Sequence, residues 1–479
     1  MPALKNLMRT FARYATTAAV ANLCPSTMRH GSVETMQPAT GWLPMLLMAL
    51  LVLIAILLGL YTARHYLFTL NRLFARQRSL YADIEASQWP RLTVFIAAHN
   101  EEAVVGDCIA SLLAADYPRD RLVIMPVNDR STDGTRAIIE RCCDANPGRL
   151  RPFHRESGPP GKAAALKDAT DIVIRENLAD VILIFDADYL PGRKLLKELV
   201  VPFLDPEIGA VMGRVVPQNA GVNLLTRLLD LERSGGYQVD QQARFNLGAV
   251  AQYGGTVGGV RLSALDDVGG WHDGVLAEDT DLTYRLLMCG WRVAYLAHAE
   301  CYEEVPQSWP VRFRQIGRWA KGHNQALARY AGGVAGSRAM NPMAHWDGLA
   351  LLGVYAMAPV MLLGWMLSII VVLTAGLSSG QLVPIGLLAF MGLAACSCLG
   401  NFAAFFEVAA AVHLDGNRAR IRLLPLLFAS FLVSMVSLSK AAIDGLVLDR
   451  LLRRQFTWDK TVRYRPIGQD AAQRLNHGT

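Results

Sequence analysis

Four groups of residues have types and spacings that can do chemistry. Asp186-Ala187-Asp188 places two carboxylates two residues apart. Hard oxygen ligands of this kind hold Mg²⁺ or Mn²⁺, and such an ion assists the departure of a diphosphate. A lone D-x-D is commonly a solvated loop, but this one follows the apolar run Val181 to Phe185, so it sits at the end of a buried strand. In Glu278-Asp279, a carboxylate can take a proton from an attacking hydroxyl. The competing reading is a favourable partner for the helix dipole, because Asp281 to Leu287 continues as an amphipathic helix. Gln315-Ile316-Gly317-Arg318-Trp319 offers a guanidinium for a diphosphate and a flat ring for stacking a sugar. Its bland alternative is an interfacial helix, where Arg and Trp are ordinary anchors. Gly161-Lys162 puts a lysine at a helix start, which suits a phosphate, without the other glycines of a Walker loop.

These groups need elements to position them. Leu92 to Ala98 is a short apolar run ending in His99-Asn100-Glu101, and Leu122 to Val127 ends in Asn128-Asp129. With Val181 to Phe185 and the helical-period stretches between, they predict a parallel sheet covered by helices. Ligands bind beyond the carboxyl ends of such strands, where the polar residues stand.

The flanks are different. Of 479 residues, 52% are hydrophobic and only 18% charged, against about 25% in soluble proteins. The middle of the chain is as polar as a soluble enzyme, so the deficit lies at the two ends and points to a membrane. The net charge of +6 gathers beside the apolar stretches. No basic face with interleaved aromatics is present, so nucleic acid is not an expected partner. The eight cysteines include no C-x-x-C, which fits reduced thiols in a cytosol-facing protein.

Leu43 to Tyr61 is nearly all aliphatic and is followed by Arg64, His65 and Arg72. That predicts a retained membrane anchor with a cytoplasmic exit, whereas a signal peptide would have a shorter apolar region nearer the start. Gly348 to Phe406 carries no charge and is divided by Ser378-Ser379-Gly380-Gln381 into two spans. Leu423 to Ser439, 17 residues containing Pro425, has basic residues on both sides. We expect this segment not to cross fully; an ordinary spanning helix is the alternative. The expected organisation is an extension (1–41), a transmembrane helix (42–63), an interfacial linker (64–90), a catalytic domain (91–305), interfacial helices (306–345), a membrane hairpin (346–410), an interfacial, re-entrant or third membrane segment (411–448) and a cytoplasmic tail (449–479).

In this order and spacing, the four groups resemble the processive family-2 glycosyltransferases, which include cellulose, hyaluronan, chitin and poly-N-acetylglucosamine synthases. Ile96-Ala97-Ala98-His99-Asn100-Glu101-Glu102 and Val127-Asn128-Asp129-Arg130-Ser131-Thr132-Asp133-Gly134-Thr135 look like that family's nucleotide-binding start. The resemblance covers roughly residues 90 to 325 and implies an α/β fold, a Rossmann-like GT-A domain inserted between transmembrane helices. It implies that Asp129 holds the uridine, with Asn100 and Glu101 near the base, that Lys162 and Arg318 bind the diphosphate, and that Asp186 contacts the nucleotide. It implies Asp188 as the ligand of Mg²⁺ or Mn²⁺, Asp279 as the general base, Trp319 at the acceptor sugar and Gln315 positioning that helix. Two departures flank the chemical groups: Ala277 where Thr is frequent, and Arg130 where Gly is usual. Trp458, Thr461 and Arg463 are similar to a loop that covers the nucleotide in hyaluronan and chitin synthases.

The implied activity is an inverting transfer of sugar from a UDP-sugar to a growing β-linked polysaccharide. Its partners are the nucleotide sugar, the polysaccharide and the bilayer, with export or regulatory subunits as further candidates. The implied location is the inner (plasma) membrane, multi-pass, with the catalytic domain cytoplasmic. The alternatives are a non-processive enzyme adding one sugar to a lipid and, from another class, a nucleotide-sensing transporter.

Overall fold

The computed structural model describes residues 42–78, 88–374, 386, 404–444 and 464. Trp458, Thr461, Arg463, the 1–41 extension and the Ser378 to Gln381 divide lie outside the described residues. Met1–Leu46 and Leu47–Thr479 form separate compact units, and the sheet and its flanking helices belong to the second.

Helix α1 (Trp42–Phe74) is longer than the expected 42–63 span, because Arg64 to Phe74 contains no Gly or Pro to stop it. Its 33 residues extend ~50 Å at 1.5 Å each, beyond the ~30 Å hydrocarbon core of a bilayer. The residues from Arg64 on therefore continue as helix rather than as a linker.

The catalytic part is next in the chain. Strand β1 (Leu92–Ala98), helix α2 (Val105–Leu113), β2 (Leu122–Asp129), α3 (Thr135–Ala145), β3 (Phe153–Arg155), α4 (Lys162–Arg175) and β4 (Val181–Asp186) build the parallel half. After them come β5 (Leu190–Pro191), α5 (Leu195–Val200), β6 (Ile208–Pro217), α6 (Leu224–Ser234), a π-helical turn (Gly235–Gln241) and α7 (Gln242–Leu247). Then β7 (Gly258–Arg261), α8 (Leu262–Asp267), α9 (Glu278–Met288) and β8 (Arg292–Glu303) complete the sheet. The order is β3-β2-β1-β4-β7-β6-β8-β5.

Strands β3, β2, β1 and β4 are parallel, as expected, but β7 runs antiparallel to both β4 and β6. The sheet is mixed because the chain enters β7 from the carboxyl end of β4. Two glycines make that central position tenable: a β-carbon would drive Gly258 into the Val211 carbonyl and Gly259 into that of Ile182. Register aligns Ala98 with Asn128 and Ala97 with Asp186, so the polar ends of β1, β2 and β4 stand side by side. Val94, Ile96, Ile182, Ile184 and Val211 are fully buried beneath them.

After β8 come α10 (Trp309–Gly336), α11 (Pro342–Gly353), α12 (Met357–Thr374), α13 (Phe405–Leu414), a 3₁₀ stretch (Arg418–Leu426) and α14 (Leu427–Ile443). Among the described residues, three helical stretches are long and apolar enough to cross a membrane: Leu46–Phe74, Pro342–Ile370 and Arg418–Ile443. The third is longer than the expected 17-residue segment because a 3₁₀ stretch carries Pro425 at its amino end. Length alone therefore no longer opposes a crossing there. A shared core joins Leu51, Ile54 and Leu58 of α1, Ile316 and Ala320 of α10, and Phe431 and Met435 of α14. The Q-x-x-R-W helix is thus packed into the apolar helices.

Candidate active site

The ends of β1 and β2 are laced together. Asn100 stands at φ 56°, a left-handed conformation that Asn tolerates. Its Oδ1 accepts from the Thr132 amide at 2.7 Å, and its own amide donates to Ser131 Oγ at 2.9 Å. The buried Glu101 donates its amide to Thr135 Oγ1 at 2.7 Å. Asp129 Oδ1 accepts from Arg155 at 2.9 Å and from Arg130 at 3.0 Å. Arg130 has φ 51°, where a β-carbon costs about 1–2 kcal/mol; this accounts for glycine being usual at that place.

A second cluster forms where α4, β4, α9 and the loop before β7 meet. Gly161, at φ 118°, turns the chain so that Lys162 opens α4. Lys162 Nζ lies 2.5 Å from Asp186 Oδ1, 2.8 Å from the Gly255 carbonyl and 3.7 Å from Glu278 Oε1. Burial pulls this ammonium's pKa down, but Asp186 and Glu278 outweigh it and hold the pKa above its ordinary value. Burial pushes the Glu278 and Asp279 carboxyls above the usual carboxylate range. Lys162 opposes that push on both, and the Thr280 amide, 2.6 Å from Asp279 Oδ1, opposes it on Asp279. Gly255 has φ 73°, and a β-carbon on it would come 3.1 Å from Asp279 Cβ and 3.3 Å from Glu278 Oε1. Only glycine brings the backbone this close to both acids.

Asp188 is buried, and its Oδ2 accepts from the Glu304 amide at 3.3 Å. Next to it, Tyr189 donates to Glu303 at 2.9 Å, and Glu303 also takes Arg233 at 2.6 Å. Among the described residues no three His, Cys, Asp or Glu side chains converge as a complete protein-made metal site. Two carboxylates fit Mg²⁺ or Mn²⁺ nevertheless, because such ions commonly take one or two carboxylates and complete their shell with substrate phosphates and water.

On α10, Gln315 Oε1 accepts from Arg312 at 2.9 Å, and Arg312 also pairs with Glu232 at 2.5 Å. The guanidinium carbons of Arg233 and Arg312 each lie 5.2 Å from the centre of the Trp319 ring, within cation–π range. Arg318 is partly buried on the same helix. Contacts from Trp319 through Arg233, Glu303 and Tyr189 lead back to Asp188. A separate cavity of about 440 Å³ is lined by Ala277, Asp281, Gly322, Ala326 and Tyr330. It lies on the other side of α9, since its lining residue Asp281 is two residues, or about 200° of helix, from Asp279.

The structure thus joins Lys162, Asp186 and the Glu278–Asp279 pair directly and sets Asn100, Glu101 and Asp129 along the neighbouring strand ends. Gly255, Thr256, Arg155, Arg233, Arg312 and Glu303 are absent from the sequence reading. Gly254-Gly255-Thr256-Val257-Gly258-Gly259 carries a visible signal, four glycines in six residues. The arginines and Glu303 carry none.

The result is a GT-A-type mixed sheet with carboxylates at its strand ends, beside a lysine and a buried acid pair. Residues 90–322, just under half of the chain, match the family described as glycosyltransferase like family 2. The chain is 31% identical over 268 residues to a probable glycosyltransferase of Bacillus subtilis, covering 56% of this chain and 62% of that protein. It is 33% identical over 252 residues to the beta-monoglucosyldiacylglycerol synthase of Synechocystis, covering 52% and 51%. It is 29% identical over 283 residues to glucomannan 4-beta-mannosyltransferase 7 of Arabidopsis thaliana, covering 57% and 50%. The chain therefore spans half to three-fifths of these relatives' lengths. In fold it is similar to a mannosyltransferase of Pyrobaculum calidifontis solved with GDP-Man and Mn²⁺, with a TM-score of 0.53 and 20% identity over 84% of this chain and 99% of that one. These relatives act on both lipids and polysaccharides by name, so the narrower processive resemblance is not carried by them. None is named as a transporter.

Proposed function

We propose that the chain is a membrane-bound inverting hexosyltransferase. It moves a sugar from a UDP-sugar, of the UDP-glucose or UDP-N-acetylglucosamine kind, to a hydroxyl of a growing β-linked polysaccharide. The observation that carries this reading is the buried Glu278–Asp279 pair held against Gly255, Lys162 and Asp186.

Asp279 accepts the proton of the acceptor hydroxyl as that oxygen bonds to the anomeric carbon. The bond from that carbon to the diphosphate oxygen breaks, and its electron pair leaves with the nucleoside diphosphate. Lys162 and Arg318 offset the charge of that diphosphate. Mg²⁺ or Mn²⁺, when bound, supplies further positive charge there, with Asp188 as its protein ligand and Asp186 beside the nucleotide. Asp129 accepts from the uracil ring, with Asn100 and Glu101 shaping the base site. Trp319 meets the acceptor, and Gln315 sets the helix through Arg312. To Trp458, Thr461 and Arg463, outside the described residues, we assign the covering of the nucleotide. Tyr464 supports that role, because its amide donates at 2.7 Å to Glu304, whose own amide reaches Asp188.

A lipid acceptor is the second reading. The Trp319 ring already faces two guanidinium groups, which leaves less of it for a sugar, and α10 packs among apolar helices. Labelled UDP-glucose, UDP-N-acetylglucosamine and GDP-mannose fed separately to membranes separate the readings. Label in a polymer cut by linkage-specific β-hydrolases supports the first. Label extracted only into organic solvent as a single-sugar lipid replaces it with the second. Label from GDP-mannose alone removes UDP as the donor.

A further inference from the structure

Four charged side chains that the mechanism does not use are buried together where the apolar helices meet the catalytic domain. Arg64 of α1 donates to Asp347 Oδ1 of α11 at 2.8 Å and lies 3.5 Å from Asp240. Asp240, in the π-helical turn, takes Arg244 of α7 at 2.5 Å, and Arg244 lies 3.9 Å from Asp347 Oδ2. None is more than 4% exposed, and Asp347 is at 0%. As a source of stability this quartet is poor. Desolvation offsets much of the Coulomb attraction of buried pairs, and Arg64 Nη2, Asp240 Oδ1 and Arg244 Nε have no hydrogen-bond partner among the described residues.

Its geometry suggests another use. Asp347 Oδ2 also accepts the backbone amide of Val250 at 3.0 Å. Val250 begins the loop that passes over the acid pair. Two residues on, Gln252 is clamped on both backbone groups by Gln241 of the π-turn, at 3.0 and 2.9 Å. Its Nε2 donates to Thr280 Oγ1 at 2.9 Å, and that hydroxyl lies 3.3 Å from Asp279 Oδ1. The Tyr253 amide reaches Thr283 Oγ1 at 3.1 Å. Gly255 then gives its carbonyl to Lys162, and Thr256 Oγ1 takes the Asp186 amide at 3.2 Å. Asp240 and Gln241 are neighbours in one π-turn, a distortion frequent at functional sites. One holds the quartet and the other holds the loop.

We propose that Asp347 is a positioning residue for the acid pair: it fixes the Val250–Thr256 loop against Asp279 and ties that placement, through Arg64, to the seating of the apolar helices. The proposal rests on Asp279 being the base. Asp347 touches no reacting atom, so its effect belongs in kcat rather than in nucleotide binding.

The test uses full-length protein in membranes with UDP-glucose, or whichever labelled nucleotide sugar wild-type membranes turn over, and measures Mn²⁺-dependent UDP binding separately. Asp347→Asn preserves volume and one acceptor but loses the charge. It should lower kcat about 10- to 100-fold, the scale of a misplaced reacting group, with UDP affinity and donor KM changed by less than about twofold. In an Asp279→Asn background the same substitution should change the residual rate by less than about twofold, because the two act as one unit. Gln252→Ala cuts the loop's link to Thr280 without touching the quartet and should reproduce the loss in kcat alone. Wild-type kcat in Asp347→Asn overturns the proposal, as does an equal loss in both backgrounds. If Asp347→Asn binds no UDP, Gln252→Ala decides: unchanged kcat there reduces the quartet to a folding role. Full turnover by Asp279→Asn alone would instead remove the reading of the base, a failure distinct from that of Asp347.

Discussion

Glu278 and Asp279 share one buried site with Lys162, so their proton affinity is set by burial working against that ammonium. Both carboxyls sit above the usual range. A base must be deprotonated to act, so kcat should fall as pH drops through this raised value, at a higher pH than for an ordinary carboxylate. Lys162→Met removes an influence that lowers the pair, so the acid limb of the kcat profile should move further up while activity falls. An acid limb that stays in place would detach Lys162 from the pair. Asp188→Asn should raise the Mn²⁺ concentration needed for half-maximal rate, measured by titrating metal into chelator-treated membranes; an unchanged requirement contradicts a metal role for Asp188. Asp186 and Asp188 are legible in the sequence because they directly follow an apolar strand, and Asp279 because its pair with Glu278 comes after them in the order of the resemblance; a helix start alone would equally suit a dipole partner. Arg155 and Arg233 are not, because each acts across the fold: Arg155 reaches Asp129 from β3, and Arg233 reaches Glu303 from α6.

At the level of elements, α9 presents its base on one side and is anchored on the other. Asp281 is buried and takes the Tyr330 hydroxyl, Arg285 at 2.7 Å and Arg329 at 3.3 Å. Burial raises its pKa, but Tyr330 and Arg285 together outweigh that and hold the carboxyl below its ordinary value. A depressed carboxyl gives stability that is present above its unfolded pKa and lost as pH falls through the folded one. Asp281→Asn should therefore destabilise the domain by about 3–5 kcal/mol near neutral pH, the scale of breaking a buried pair. The difference should shrink below roughly pH 4. Thermal unfolding of both proteins at the two pH values checks it; an equal difference at both would exclude the charge as its cause. The parallel strands β1, β2 and β4 are readable from their apolar runs, and their ends match to within two residues; the parallel β3 and β8 are not in that reading. The antiparallel β7 was not, since Gly258 and Gly259 make it look like a loop until the strands crowding it are known.

Across the whole molecule, the open matter is which side of the bilayer each part occupies. Asp415, just after α13, pairs with Arg214 of β6 at 2.8 Å, and Tyr464 hydrogen-bonds to Glu304. Both flanks of Arg418–Ile443 thus lie on the catalytic domain, and the stretch between Asp444 and Tyr464 is too charged to cross. With the catalytic domain taken as cytoplasmic, α14 should lie along the interface, its outward Phe428, Leu432 and Val436 facing lipid. Asp470→Cys should then resist membrane-impermeant thiol reagents in intact spheroplasts; labelling would mean that α14 crosses. In the proposed mechanism all of this serves one chemical event, the removal of a proton from an acceptor hydroxyl by Asp279, and one measurement tests that most directly. Transfer of labelled sugar by Asp279→Asn should fall ~10²–10⁴-fold, as for loss of a general base, while Mn²⁺-dependent UDP binding remains that of the wild type. Turnover near the wild-type rate, with UDP binding intact, would contradict it.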